Sequence, residues 1–318
     1  MRVAILDDYQ DVALRVADWS PVPATIDVFR TPLGDAEAVV AALQPYDVLV
    51  TMRDRTALPK TVLERLPNLR LIVVTGHRIT AIDIAACAAL GITVSGTAPP
   101  AGGGGGPAAE LTWALILAAV KRLPAELASV RAGGWTTRLG TSLTGRTLGV
   151  LGLGRLGSQV AAVGNTFGMR VVAWSQNLTT ERAAKSGATL VGKDELFATS
   201  DVVTIHLVLS DRTRALVGEP ELRRMKPDAW LVNTSRGPIC DENALLRACQ
   251  ERWIAGAALD VYDQEPLPPD HPLRTLENVL ATPHIGYVTE ETYASWYADA
   301  VEDIVAYAKG SPIRIRHS

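Results

Sequence analysis

The sequence predicts an α/β chain built from two doubly wound parallel-sheet domains, and three observations carry that prediction. Short apolar runs alternate with helical patterns almost throughout. The apolar runs are continuous in Val, Ile and Leu rather than alternating, as in strands buried on both faces. The 318 residues exceed one ordinary domain and suffice for two cores.

The first series of strands is expected over 2–6, 26–29, 48–50, 71–74 and 92–94, with helices over 36–43, 60–66 and 81–89. A break follows, with prolines at 99 and 100, five glycines at 102–106 and Pro107. The glycine run has no buried strand before it and no Lys-Ser/Thr after it, so it is read as a hinge and not a phosphate cradle. An apolar helix is expected over 108–123. The second series places strands over 147–151, 170–174, 202–205, 230–233, 255–259 and 279–281. A last helix over 290–309 returns to the first domain if that domain is discontinuous.

Composition excludes several classes. Hydrophobic residues make up 47% and charged residues 20%, the balance of a globular chain and not a disordered one. A net charge of -3 gives no electrostatic case for nucleic acid or an anionic membrane. The longest apolar stretch, 111–120, falls short of the about 20 residues a bilayer span needs. Cys87, Cys240 and Cys249 are odd in number and widely spaced, which suits neither a disulfide framework nor a zinc site. No metal is expected. With no secretory series at residues 1–8, the expected compartment is the cytoplasm.

The segment from Thr147 to Ala161 joins a buried strand, the pattern G-x-G-x-x-G and an apolar helix. Gly152 permits the tight turn, Gly154 lets backbone approach a pyrophosphate, and Gly157 lets helix pack on strand. The anion then sits at the helix N-terminus, where unpaired N–H groups and the dipole favour it. Strand and helix on either side raise this above a lone glycine motif. The next strand ends at Ser175, where an NAD site usually has an acidic residue. The cofactor is therefore expected to be NAD or NADP.

Three ionisable residues follow later strands: Arg236, Glu265 and His284. Each alone is an ordinary loop residue. Together, beyond the carboxyl ends of strands in a dinucleotide domain, they form a catalytic set. Reducing a 2-keto acid places a hydride on carbon and a proton on oxygen. His284 suits the proton transfer, Glu265 would hold its tautomer and stabilise its charge, and the guanidinium fork of Arg236 matches a carboxylate.

These motifs, with Asn233-Thr234-Ser235-Arg236-Gly237, Asp260 to Pro266 and Pro283-His284-Ile285-Gly286 in that order, resemble the D-isomer-specific 2-hydroxyacid dehydrogenase family over nearly the whole chain. The resemblance implies a Rossmann-type dinucleotide domain, 101–287, inserted into a flavodoxin-like substrate domain of 1–100 plus 288–318. It implies that Asp260 holds the nicotinamide amide and that Thr234 and the strand end at His206 line the cofactor cleft. The cofactor-binding set is thus Gly152, Gly154, Arg155, Leu156, Gly157, Ser175, His206, Thr234, Asp260, His284 and Gly286. The substrate, a small 2-keto or 2-hydroxy acid, would meet Thr75, Gly76, His77, Arg78 and Arg236. A homodimer through the dinucleotide domain is implied, with the helix from Ala108 and the Gly133-Gly134-Trp135 segment at the contact. The alternative for Trp135 is an intrachain core aromatic. Val208, where many members have proline, and the glycine run at 102–106 depart from the family pattern.

Two other readings compete. One is an NAD(H)-sensing, corepressor-like binding protein, which would carry tails or a peptide-binding surface not evident here. The other keeps the enzyme class but takes formate or phosphite.

Overall fold

The computed structural model describes residues 1–76, 79–99 and 106–316. The chain divides into two compact units, Met1–Gly104 with Val288–Ser318, and Gly105–Tyr287.

In the first unit, strands β1 (Arg2–Ile5), β2 (Thr25–Val28), β3 (Val48–Thr51), β4 (Leu71–Val74) and β5 (Thr93–Gly96) alternate with helices α1 (Ala13–Val16), α2 (Ala36–Leu43), α3 (Lys60–Leu63) and α4 (Ile84–Ala89). The sheet is parallel throughout, in the order β2-β1-β3-β4-β5, which is the flavodoxin-like winding. Strands β3 and β4 are buried at every position, as sequences apolar throughout but for Thr51 require. Helix α4 starts three residues later than the pattern suggests. Ile82 bridges to Leu58, and Asp83 turns extended to accept the Ala86 amide as an N-cap.

In the second unit, the expected helix over 108–123 is interrupted. Helix α5 (Gly106–Val120) ends, Arg122 adopts a left-handed φ of 58°, and α6 (Leu123–Arg131) begins in a new direction. Trp135, after α6, is 80% exposed, so the core reading of that residue fails. Then follow β6 (Thr147–Leu151), α7 (Arg155–Thr166), β7 (Arg170–Trp174), α8 (Thr180–Lys185), β8 (Thr189–Leu190), α9 (Lys193–Thr199), β9 (Val202–Ile205), α10 (Glu219–Arg224), β10 (Trp230–Asn233), α11 (Glu242–Gln250), β11 (Gly256–Leu259) and β12 (Val279–Ala281). These strands form one parallel sheet, β12-β11-β10-β9-β6-β7-β8. Its order reverses between β6 and β9, the Rossmann-type switch point where ligands bind. Separate apolar clusters pack on its two faces, one around Phe197 and Leu231, the other around Ile116 and Val160.

Helix α12 (Glu290–Ala308) lies in the first unit, on α1 and β4, and buries Tyr293, Trp296, Tyr297 and Ile304 there. Among the described residues no helix is long and apolar enough to cross a membrane, and no cluster of His, Cys, Asp and Glu could hold a metal ion. All three cysteines are buried.

Candidate active site

The strand register of the second unit sets the site. Trp174, Leu151, Ile205, Asn233, Leu259 and Ala281 are paired across the sheet in one row at its carboxyl edge. The next residue along each strand is Ser175, Gly152, His206, Thr234, Asp260 and Thr282. Five of these were expected from sequence to line a cofactor cleft, and the register aligns them along a single edge.

The glycine turn obeys close-packing limits. Gly152 has φ 102°, and an added Cβ would lie 2.8 Å from the His206 carbonyl. At Gly157 a Cβ would lie 2.1 Å from the Gly152 oxygen, so helix α7 can pack on its strand only there without a side chain. Around Gly154 a Cβ would meet nothing within 4 Å. Gly154 is also the N-cap of the 12-residue α7 and supplies no side-chain cap. An open approach to uncapped N–H groups at Arg155 and Leu156 fits a dinucleotide pyrophosphate. No carboxylate follows β7, where half-buried Ser175 stands. Burial pushes the His206 imidazole down to about 4, so the ring is neutral near pH 7, and its Nε2 is 3.0 Å from the Thr204 hydroxyl.

The three catalytic candidates come from the loops after β10, β11 and β12. Asn233 braces the first loop. Its side-chain amide donates to the Arg236 carbonyl at 2.9 Å, and its side-chain oxygen accepts from the Ser235 amide at 3.0 Å. Ser235 in turn donates to the Leu207 carbonyl. The Thr234 hydroxyl meets that of Thr112 on α5 at 2.7 Å. Gly237 is required because a Cβ would lie 2.0 Å from the Tyr262 carbonyl carbon. Arg236 is half-buried, donates to the Ser235 carbonyl at 2.7 Å and acts electrostatically on Glu265.

Glu265 receives the Tyr262 amide on Oε1 at 3.0 Å, while its Oε2 lies 2.5 Å from Nδ1 of His284. Desolvation pushes this carboxyl up. The hydrogen bond and charge of His284, the Tyr262 amide and the charge of Arg236 outweigh it, and the group sits below its usual range. Glu265 is thus a carboxylate at neutral pH, so Nδ1 of His284 donates to it and Nε2 is left for chemistry. The peptide bond between Glu265 and Pro266 is cis.

His284 has a left-handed φ of 52°, rare for a residue with a side chain. Asp260 holds that conformation. It is 1% exposed, and its Oδ1 accepts from the Thr282 hydroxyl at 2.6 Å and the Ile285 amide at 2.9 Å. Its Oδ2 accepts from the Gly286 amide at 2.9 Å. Burial pushes this carboxyl up against those bonds. Asp260 therefore clamps the loop on both sides of His284, a job no sequence pattern pointed to. Tyr287, whose ring meets the His284 ring edge-on at 5.6 Å, also escaped the sequence reading, for want of any local signal.

In the first unit, Thr75 and Gly76 follow β4. The Thr75 amide donates to the Thr51 carbonyl at 3.0 Å, and the Gly76 amide donates to the Thr97 hydroxyl at 2.7 Å. Both main-chain donors are committed within the unit. His77, Arg78 and most of the glycine run lie outside the described residues.

Known proteins resemble this arrangement. Residues 113–286 match the model of the NAD binding domain of D-isomer specific 2-hydroxyacid dehydrogenases. A glyoxylate reductase from Aeropyrum pernix is 40% identical over 284 residues, 84% of either chain. A D-3-phosphoglycerate dehydrogenase from Archaeoglobus fulgidus is 39% identical over 87% of this chain, which spans only 52% of that longer protein. The crystal structure of a phosphoglycerate oxidoreductase from Vibrio cholerae is 38% identical and superposes with a TM-score of 0.90, covering 98% of this chain and 99% of that one.

Proposed function

This chain belongs to the D-isomer-specific 2-hydroxyacid dehydrogenase family, and on that footing we propose that it reduces a small 2-keto acid, of the glyoxylate or hydroxypyruvate kind, to the D-2-hydroxy acid. The observation that carries the reading is the Glu265–His284 pair, at 2.5 Å, beside Arg236 at the carboxyl edge of the dinucleotide sheet. When bound in the second unit, NADH or NADPH would supply the hydride. His284 supplies the proton to the substrate oxygen from Nε2, and Glu265 offsets the imidazolium charge lost and regained in each turnover. Arg236 holds the substrate carboxylate and polarises the keto oxygen.

The turn at Gly152, Gly154 and Gly157, with the Arg155 and Leu156 amides, would hold the pyrophosphate. Ser175 would face the ribose, while His206, Thr234, Asp260 and Gly286 would line the nicotinamide end. Without a carboxylate after β7, nothing there repels a 2′-phosphate. The names of the relatives do not favour a sensor role. We also propose a cytoplasmic homodimer through the second unit. Its support is an exposed apolar surface, with Trp135 at 80%, Leu139 at 94%, and Leu127 and Val130 at 55% each.

The test is steady-state oxidation of NADH and NADPH with glyoxylate, hydroxypyruvate, 3-phosphohydroxypyruvate and pyruvate, followed by chiral analysis of the product. Turnover yielding a D-hydroxy acid is expected. Tight cofactor binding without turnover of any of these acids would favour the sensor.

A further inference from the structure

One residue of the second unit touches all three loops that carry the candidate catalytic groups. Tyr262 lies just past β11, 5% exposed, with its ring packed into the apolar cluster around Phe197 and Leu231. Its main chain serves two of the loops. The Tyr262 amide donates to Oε1 of Glu265 at 3.0 Å, the oxygen that does not meet His284. The Tyr262 carbonyl lies so close to Gly237, the neighbour of Arg236, that no side chain fits between them.

The hydroxyl serves the third loop. It lies 3.0 Å from the Thr282 carbonyl and 3.2 Å from the Leu259 carbonyl. A phenol has one proton to give, and these two acceptors are unequally supplied. The Leu259 carbonyl already receives the Thr282 amide at 2.8 Å and the Thr282 hydroxyl at 3.3 Å. Among the described residues, the Thr282 carbonyl otherwise receives only the His284 amide, at 3.1 Å, in a three-residue turn over Pro283. The proton therefore goes to Thr282, the nearer and less supplied oxygen. Burial, and after it the charges of Asp260 and Glu265, push the phenol above its usual range, so it stays a donor at neutral pH.

His284 leaves this turn with its left-handed φ of 52°. Such a conformation persists only where the surroundings hold it. Asp260 grips the chain after His284, through the Ile285 and Gly286 amides, and Tyr262 grips the carbonyl two residues before it.

We propose that Tyr262 is a positioning residue for proton transfer, which sets the spacing of Glu265 and His284 by holding one with its amide and the turn before the other with its hydroxyl. This rests on the reading of that pair as the proton-transfer groups. The ring is anchored in the core, so the phenol has little freedom, and the span it fixes is passed on to the imidazole. Phenylalanine would fill the same space and keep the amide, but would leave the turn before His284 with one bond fewer.

The experiment compares the wild type, Tyr262→Phe, His284→Ala and the double variant. Steady-state reduction of the 2-keto acids, NADH titration, thermal melting and proton NMR of the far-downfield Nδ1–H that His284 shares with Glu265 are measured on each. In Tyr262→Phe, kcat should fall about tenfold, with KM and NADH affinity kept within about twofold and Tm lowered by a few degrees at most. In the His284→Ala background the same change should cost no further turnover, because its effect passes through the imidazole. The downfield resonance should vanish in His284→Ala and move upfield or broaden in Tyr262→Phe. An unmoved resonance, an unchanged kcat in an active enzyme, an equal loss in the His284→Ala background, or a parallel loss of NADH affinity would each overturn the proposal. A wild type that reduces none of the acids would defeat the functional reading instead, and a resonance moved by Tyr262→Phe would still support the positioning.

Discussion

Nδ1 of His284 and Oε2 of Glu265 stand 2.5 Å apart, although their residues are separated by a strand and two loops. Neither side chain is deeply buried, at 28% and 34% exposed, so both remain within reach of a substrate and of solvent protons. The contact fixes which imidazole nitrogen is free. Proton transfer is the step that should respond most to changes here.

His284→Ala removes the proton donor and leaves the glycine turn untouched. Turnover should fall by about 10²–10⁴-fold, with NADH affinity nearly unchanged. Stopped-flow or steady-state rates beside a fluorescence titration of NADH would check this. A variant with wild-type turnover rules out the role given to His284.

Glu265→Gln keeps the shape but removes the charge that stabilises imidazolium. The proton-transfer step should slow, with kcat for reduction falling by about tenfold or more while NADH affinity is kept. Unchanged kcat would mean that the pair is structural only.

Arg236→Lys keeps a cation but loses the fork, and Arg236→Ala loses both. KM for the keto acid should rise in that order, by about 10–100-fold in the alanine variant, with kcat falling as well. Equal KM values across the series would place the substrate carboxylate elsewhere.

Gly157→Ala would force a methyl to 2.1 Å from a backbone oxygen. The strand and α7 must part, at a cost of about 2 kcal/mol, and the turn loses its shape. A lower Tm together with weakened NADH binding is expected. A fully stable variant that binds NADH normally contradicts the packing argument.

Asp303 on α12 is fully buried, and desolvation pushes its carboxyl up to about 7 against the charge of Arg314, 3.5 Å away. The native state then keeps its proton longer than the unfolded chain does. Stability from this group declines as pH rises from about 4 to about 7, and stays low beyond. Asp303→Asn should therefore raise Tm by several degrees at pH 8 and by little near pH 4. The opposite pH trend would show that the Arg314 pair outweighs desolvation.

Much of this was legible in the residues. The strands over 71–74, 147–151, 170–174, 202–205, 230–233 and 279–281 have the same ends in the structure, because continuous Val/Ile/Leu runs bounded by turn residues leave little choice. The same patterning missed β8, whose two residues are too short to show a period, and ran α5 on past the left-handed Arg122. The reactive groups were visible because their residue types are suited to the chemistry. The loop-holding bonds of Asp260 and Asn233 were not. Asp260 clamps a loop some 25 positions further on, and Asn233 turns its amide back onto its own loop. Such bonds depend on how strands are paired, which a linear pattern does not contain.

The placement of α12 bears on how the chain is made. The first sheet is synthesised early, but the helix that covers α1 and β4 comes after the whole second unit. Until α12 docks, the first sheet shows the apolar surface that Tyr293, Trp296 and Tyr297 seal. The unit that begins the chain thus depends, for closing its core, on residues made after the whole of the other unit.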